Sequence, residues 1–215
     1  MKRILCYGDS NTWGYDPLTQ TRFDEHTRWT RVLAAALGSG YEIIEEGLNG
    51  RTTVWDDPIE GELASDKNGR TYLGPCLQTH TPLDGVILML GTNDLKRRFA
   101  LPASDIALGV KALVGVIQRS RSGRDGAAPP VLLLAPPPLA PLTEGMALAE
   151  MFEGGEVKSL RFGALYAQVA QELGCGCFDT AGVIRSSEVD GIHFEAGEHS
   201  KLGSALAAAV RTSLG

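Results

Sequence analysis

No apolar run in these 215 residues reaches the roughly 20 needed to cross a bilayer. Internal repeats and low-complexity tracts are also lacking, and no stretch has the composition of a domain linker. Basic charge is scarce: 20 Lys and Arg stand against 26 Asp and Glu, a formal net charge of -6. That balance gives no general attraction to nucleic acid. The one basic cluster, Lys96-Arg97-Arg98, reads as a solvated loop face. Four cysteines are too few for a disulfide framework in a chain of this size. Cys175 and Cys177 have strand spacing, which puts both sulfurs on one face, and with no further ligands nearby they read as buried free thiols. Met1-Lys2-Arg3 leads straight into Ile4-Leu5-Cys6-Tyr7, which is too short for a signal peptide and has no small-residue cleavage site after it. Cytoplasmic residence is therefore the expectation. Neither a nucleic-acid nor a membrane partner is implied, and a homo-oligomer is allowed.

What is present is an alternation of strand and helix patterns. Apolar runs at 3–7, 42–46, 85–90 and 131–135, with a shorter one opening at 177, read as five strands. Helical spacing covers 29–37, 72–80, 105–117, 157–173 and 196–214. Segments 16–27, 56–70 and 140–155 read as loops, of the kind that often serve as lids or binding segments. Such alternation predicts one α/β domain over residues 1–215, a three-layer α/β/α sandwich around a five-stranded parallel sheet. Ligands of such sheets sit beyond the carboxyl ends of the strands. Chemistry is therefore sought just after each strand.

Four blocks stand there. Gly8-Asp9-Ser10-Asn11 follows the first strand, Gly47-Leu48-Asn49-Gly50-Arg51 the second, and Gly91-Thr92-Asn93-Asp94 the third, while Asp190-Gly191-Ile192-His193 precedes the last helix. Together, and in this order, they resemble the GDSL, or SGNH, hydrolases, whose fold is flavodoxin-like. The resemblance spans residues 8–193. It departs from the GDSL tetrapeptide at Asn11, where the usual Leu takes no part in the chemistry. The G-x-S-x-G elbow of the α/β-hydrolases is missing.

The resemblance implies a catalytic Ser10, Asp190 and His193, with Ser10, Gly50 and Asn93 forming an oxyanion hole. Each residue type suits its part. A serine hydroxyl attacks poorly unless a base takes its proton. Histidine can do so near neutral pH. A carboxylate three residues before it can hold the ring in the useful tautomer and stabilise the cation. Ser10 and Gly50 can offer backbone amides and Asn93 a side-chain amide. Gly50 carries no side chain to block the acyl group. No motif implies a metal or an organic cofactor.

Plainer readings exist for each residue alone. Gly-Asp-Ser is also ordinary turn chemistry, and Asn93 or Asp94 could cap a helix. Asp9 reads as a structural residue bonding turn amides. His26, His80 and His199 have no partner motif and read as surface or structural residues.

Thr12-Trp13-Gly14, Arg51-Thr52-Thr53, Ala135-Pro136-Pro137-Pro138-Leu139 and Phe152-Glu153-Gly154-Gly155 look like the bacterial arylesterase branch of that family. The branch implies hydrolysis of small acyl esters, with acyl transfer to alcohols as a side activity. Trp13, Pro138 and Leu139 are the expected substrate-binding residues of a tight, comparatively apolar slot. Segment 61–68 is longer and more charged than this branch suggests, and Gly50 stands where some members have Ala. Two other readings compete. One keeps the triad but acts on acetylated carbohydrates or thioesters; only 7% of residues are aromatic, and no strip of them suits a sugar. The other is a non-catalytic flavodoxin-like binding module, disfavoured because no phosphate-binding glycine loop follows the first strand.

Overall fold

The computed structural model describes residues 1–214. Five strands, β1 (Lys2–Gly8), β2 (Tyr41–Gly47), β3 (Gly85–Met89), β4 (Val131–Ala135) and β5 (Gly176–Asp179), form one sheet in the order β2-β1-β3-β4-β5. Every pairing is parallel, and Gly8 lies beside Gly47 and Met89 where three strands end together. Alternate side chains feed two cores. Leu5, Tyr7, Val86, Leu88, Val131 and Leu133 face one, with helices α3 (Gly69–Thr79), α4 (Ala103–Gln118) and α6 (Phe162–Leu173). Ile4, Cys6, Ile87, Met89, Leu132 and Leu134 face the other, with α2 (Trp29–Leu37) and α7 (Ala196–Ser213). The period of two explains the division: β3 and β4 are apolar at every position because both of their faces are covered. No helix among the described residues is long and apolar enough to cross a membrane.

Three expectations need correction. The single helix expected over 157–173 is two, α5 (Gly155–Ser159) and α6. Ser159 Oγ donates to the Glu156 carbonyl and accepts the amide of Leu139, so its side chain competes with the helical ladder where the break occurs. Helix α3 begins at Gly69 rather than Tyr72, because Asn68 caps it by accepting the Arg70 amide at 2.9 Å. Of the cysteine pair, Cys175 is half-buried and Cys177 exposed, since β5 is an edge strand; all four cysteines are free. A four-residue helix, α1 (Ser10–Trp13), escaped the periodicity, being shorter than one sequence window.

His199, on α7, is fully buried and accepts the Trp29 amide at 3.2 Å, satisfying the first turn of α2. Burial pushes its pKa down to about 3, with the charges of His193 and Arg28 acting the same way. It therefore stays neutral in the fold, whereas the unfolded chain takes up a proton below about 6.5. Its contribution is fully present above that pH and lost as pH falls toward 3, by up to about 1.4 kcal/mol per unit. Asp9 and Asp94, raised by burial to about 6, act with the opposite sign, so the informative quantity is a difference. The melting temperature of His199→Asn, lower than the parent's at pH 7.5, is expected to approach or overtake it as pH falls to 4.5. Parallel melting curves across that range would show that His199 does not titrate on unfolding.

Candidate active site

The four blocks converge at the carboxyl end of the sheet. After β1 the chain turns at Asp9, whose carboxylate accepts the Asn11 amide at 3.0 Å and so caps α1, presenting Ser10 as its first residue. Asp190 and His193 lie between β5 and α7. One carboxylate organises that turn: Asp190 Oδ1 accepts the amides of Ile192 and His193, both at 2.9 Å, and Oδ2 meets His193 Nδ1 at 2.6 Å. Burial works to raise the Asp190 carboxyl, but the bond and charge of His193 outweigh it and leave it below the usual range. On the other side of the ring, His193 Nε2 lies 2.9 Å from Ser10 Oγ. The Tyr15 ring packs against the imidazole, with centroids 4.3 Å apart.

The second and third blocks are pinned to each other. Asp94 accepts Thr53's amide at 3.0 and 3.1 Å and its hydroxyl at 2.5 Å, rather than capping a helix. Asn93 Nδ2 donates to the Arg51 carbonyl at 3.2 Å. Arg51 itself is buried, stacks its guanidinium 4.1 Å over Tyr7 and donates to the Gly8 and Glu46 carbonyls, tying the ends of β1 and β2. Gly50 has φ +80, a left-handed conformation that favours glycine. A Cβ there would stand 2.5 Å from the Glu60 carboxylate, the end of a flexible side chain, so the backbone conformation is the stronger reason for the glycine.

Ser10, Asn49, Gly50, Asn93 and His193 open on a cavity of about 200 Å³. Its apolar lining comes from Tyr15, Leu148, Met151, Phe152 and Ile192, and its charged lining from Glu60 and Lys96. Segments 56–70 and 140–155 thus both wall the site. Trp13, Pro138 and Leu139, expected to bind substrate, are not among the residues that line this cavity. Trp13 is sandwiched, its backbone close against Gly47 and its ring under Arg22. Leu139 is buried against Gly155 with its amide on Ser159, and the Pro138 carbonyl accepts Ser186.

Lys96 is another correction. It is 2% exposed, its ammonium 2.7 Å from Glu60 and 3.5 Å from the buried Asp57, and Arg98 pairs with the same two acids. Only Arg97 keeps an exposed face, paired with Glu153. The basic cluster is solvated in sequence context alone, because its acids come from a segment some 40 residues earlier. The loop reading of 56–70 and 140–155 points to the segments that hold Glu60, Met151 and Phe152, but no local signal singles out these residues or Tyr15 as cavity residues. Elsewhere, Glu46, Cys76 and His80 bring ligand atoms within 4.8 Å of one another. There His80 Nε2 already meets Glu46 Oε1 at 2.8 Å, and the Cys76 thiol is held protonated, pushed up to about 12 by burial.

The sequence matches the GDSL-like lipase/acylhydrolase family over residues 6–197. The chain belongs to that family. It is an esterase of the GDSL, or SGNH, type, on an α/β fold shared at full length with solved relatives. The M. smegmatis aryl esterase is 46% identical, with a TM-score of 0.91 over 99% of this chain and 100% of that one. Est24, a carbohydrate acetylesterase from Sinorhizobium meliloti, is 42% identical, with a TM-score of 0.91 over 99% of each chain. The lipase/acylhydrolase from Enterococcus faecalis, at 16% identity and a TM-score of 0.66 over 99% of this chain and 96% of that one, shares the fold. A comparison with curated protein sequences returned no match.

Proposed function

We propose that this esterase hydrolyses short-chain acyl esters through an acyl-enzyme on Ser10. The observation that carries the reading is the unbroken line from Asp190 through His193 to Ser10 Oγ, ending in a small cavity. In this mechanism Ser10 Oγ attacks the ester carbonyl as His193 Nε2 takes its proton. Asp190 keeps the ring oriented and stabilises the imidazolium. The Ser10 and Gly50 amides and the second hydrogen of the Asn93 amide receive the oxyanion. His193 then returns the proton to the departing alcohol, and water repeats the sequence to release the acid. Neither a metal nor an organic cofactor is required.

The short-chain reading rests on size. Pockets for drug-sized ligands run to about 300–1,000 Å³, and this cavity has about 200 Å³. Extra methylenes overpack such a site or gain little outside it. With p-nitrophenyl esters of rising acyl length, kcat/KM is expected to be highest for acetyl to butyryl and to fall for longer chains. A preference for long chains would refute the narrow slot. The apolar wall of Tyr15, Met151 and Phe152 favours an organic alcohol as acceptor, so added primary alcohol is expected to yield a measurable transesterification product.

A second reading, deacetylation of carbohydrates, is favoured by Glu60, whose carboxylate lines the cavity and can accept from substrate hydroxyls while Lys96 holds it in place. The same panel decides between them. A peracetylated sugar turned over faster than aryl acetate supports the carbohydrate reading.

A further inference from the structure

Ser10 and His193 are 183 residues apart, and no strand carries His193 to the sheet. Most bonds around it are local to its own loop. Asp190 accepts the Ile192 and His193 amides, Ser187 donates its amide to the His193 carbonyl, and Gly191 donates to Ser187. One further bond, from the Ala140 amide to the Gly191 carbonyl, leads to the neighbouring loop. These bonds shape the turn but leave open its distance from the nucleophile.

Asn11 supplies that distance. Its side-chain Nδ2 donates to the Ile192 carbonyl at 3.3 Å, and its Oδ1 accepts the Phe194 amide at 3.2 Å. The two bonds reach the residues on either side of His193, much as a neighbouring strand would. Asn11 is covalently next to Ser10 and is itself held. Its amide is bonded to Asp9 and its carbonyl accepts Trp29 Nε1 at 3.0 Å. Trp29 in turn gives its amide to His199 on α7, the helix that follows the His193 loop. The ring of bonds therefore closes from Asn11 through α2 and α7 back to Phe194. Asn11 is 2% exposed, so water does not replace either bond.

We propose that Asn11 is a positioning residue: its amide clamps the backbone on both sides of His193 and so sets the reach of Nε2 to Ser10 Oγ. The inference rests on the reading of Ser10 as nucleophile and His193 as base. The leucine of the GDSL tetrapeptide can make neither bond. Here the residue after the nucleophile, set aside in the sequence as chemically silent, does the work of holding the base. A misplacement of about 1 Å at a reacting group can cost about 10²-fold in rate, and the clamp acts at the two residues adjoining that group.

The test compares Asn11→Leu and Asn11→Asp with the parent. Asn11→Leu loses both bonds. Asn11→Asp keeps the bond from the Phe194 amide and loses the one to Ile192. Expected is a fall in kcat of about 10–10²-fold for Asn11→Leu, a smaller fall for Asn11→Asp, and little change in KM for either. Inactivation by a serine-directed phosphonate, which needs the activated hydroxyl but no leaving alcohol, is expected to slow in the same order. A purely structural residue would lower the melting temperature and leave kcat and labelling rate per folded molecule unchanged; that result in either variant overturns the proposal. If Asn11→Leu does not fold, Asn11→Asp alone decides. Ser10→Ala, measured alongside, separates the two claims. An inactive Ser10→Ala with normal rates in the Asn11 variants removes only the clamp, whereas an active Ser10→Ala removes the reading on which it rests.

Discussion

Ser10→Ala is expected to lower kcat for ester hydrolysis by about 10⁶-fold, with a melting temperature close to the parent's. The asymmetry follows from what the hydroxyl touches. Its one side-chain contact of note is His193 Nε2 at 2.9 Å, while the turn that holds Ser10 depends on Asp9 and the Asn11 amide. Removing the oxygen therefore leaves the turn, the cap of α1 and both cores in place, but no atom remains to carry the acyl group. The residual rate reports binding and oxyanion stabilisation without covalent catalysis. Steady-state kinetics on an aryl acetate, with a thermal melt on the same sample, check both halves. Substantial turnover by a folded Ser10→Ala would take Ser10 out of the reaction.

Asn93→Ala is expected to lower kcat by about 10²–10³-fold and to move KM far less, because the bond to a developing oxyanion is made in the transition state. The geometry explains why this amide suits the task. One hydrogen of Nδ2 is engaged by the Arg51 carbonyl at 3.2 Å, which fixes the amide plane. The other is free for the cavity that Asn93 lines. Losing the first bond leaves a buried carbonyl short of a partner, for about 1–3 kcal/mol of stability. Asn93→Asp is expected to be as inactive as the alanine variant, since a carboxylate has no hydrogen to donate and would repel the oxyanion. A normal kcat in folded Asn93→Ala would leave Asn93 with the Arg51 bond as its whole role.

The fold was legible because its signals are local. The run Val86-Ile87-Leu88-Met89 is apolar at every position since two helical layers cover β3, and α2 ends at Gly38 where its spacing stops. The convergence of Ser10, Gly50 and Asn93 followed from one rule, that strand ends of a parallel sheet meet at one edge, whereas His193, which no strand carries, was marked only by the family resemblance. Contacts made at a distance were not legible. Lys96 looked solvated because Asp57 and Glu60 reach it only in the folded chain. Trp13 looked like a cavity wall because it follows Ser10, yet the α1 turn directs it toward Arg22 and brings Tyr15 to the imidazole instead. Asn11 looked silent because a side-chain amide shows its use only when the backbone it clamps, at Ile192 and Phe194, is in view. Composition and periodicity record which face a residue takes, and neither records its partner.

The central claim, that Ser10 is the activated nucleophile, is tested most directly by covalent trapping. The protein is incubated with a serine-directed fluorophosphonate, its intact mass is measured, and the labelled peptide is sequenced. The account predicts one equivalent of label, on Ser10, with activity lost in proportion and no labelling of Ser10→Ala. Stoichiometric label on any other residue, or complete inactivation with Ser10 unmodified, would contradict it.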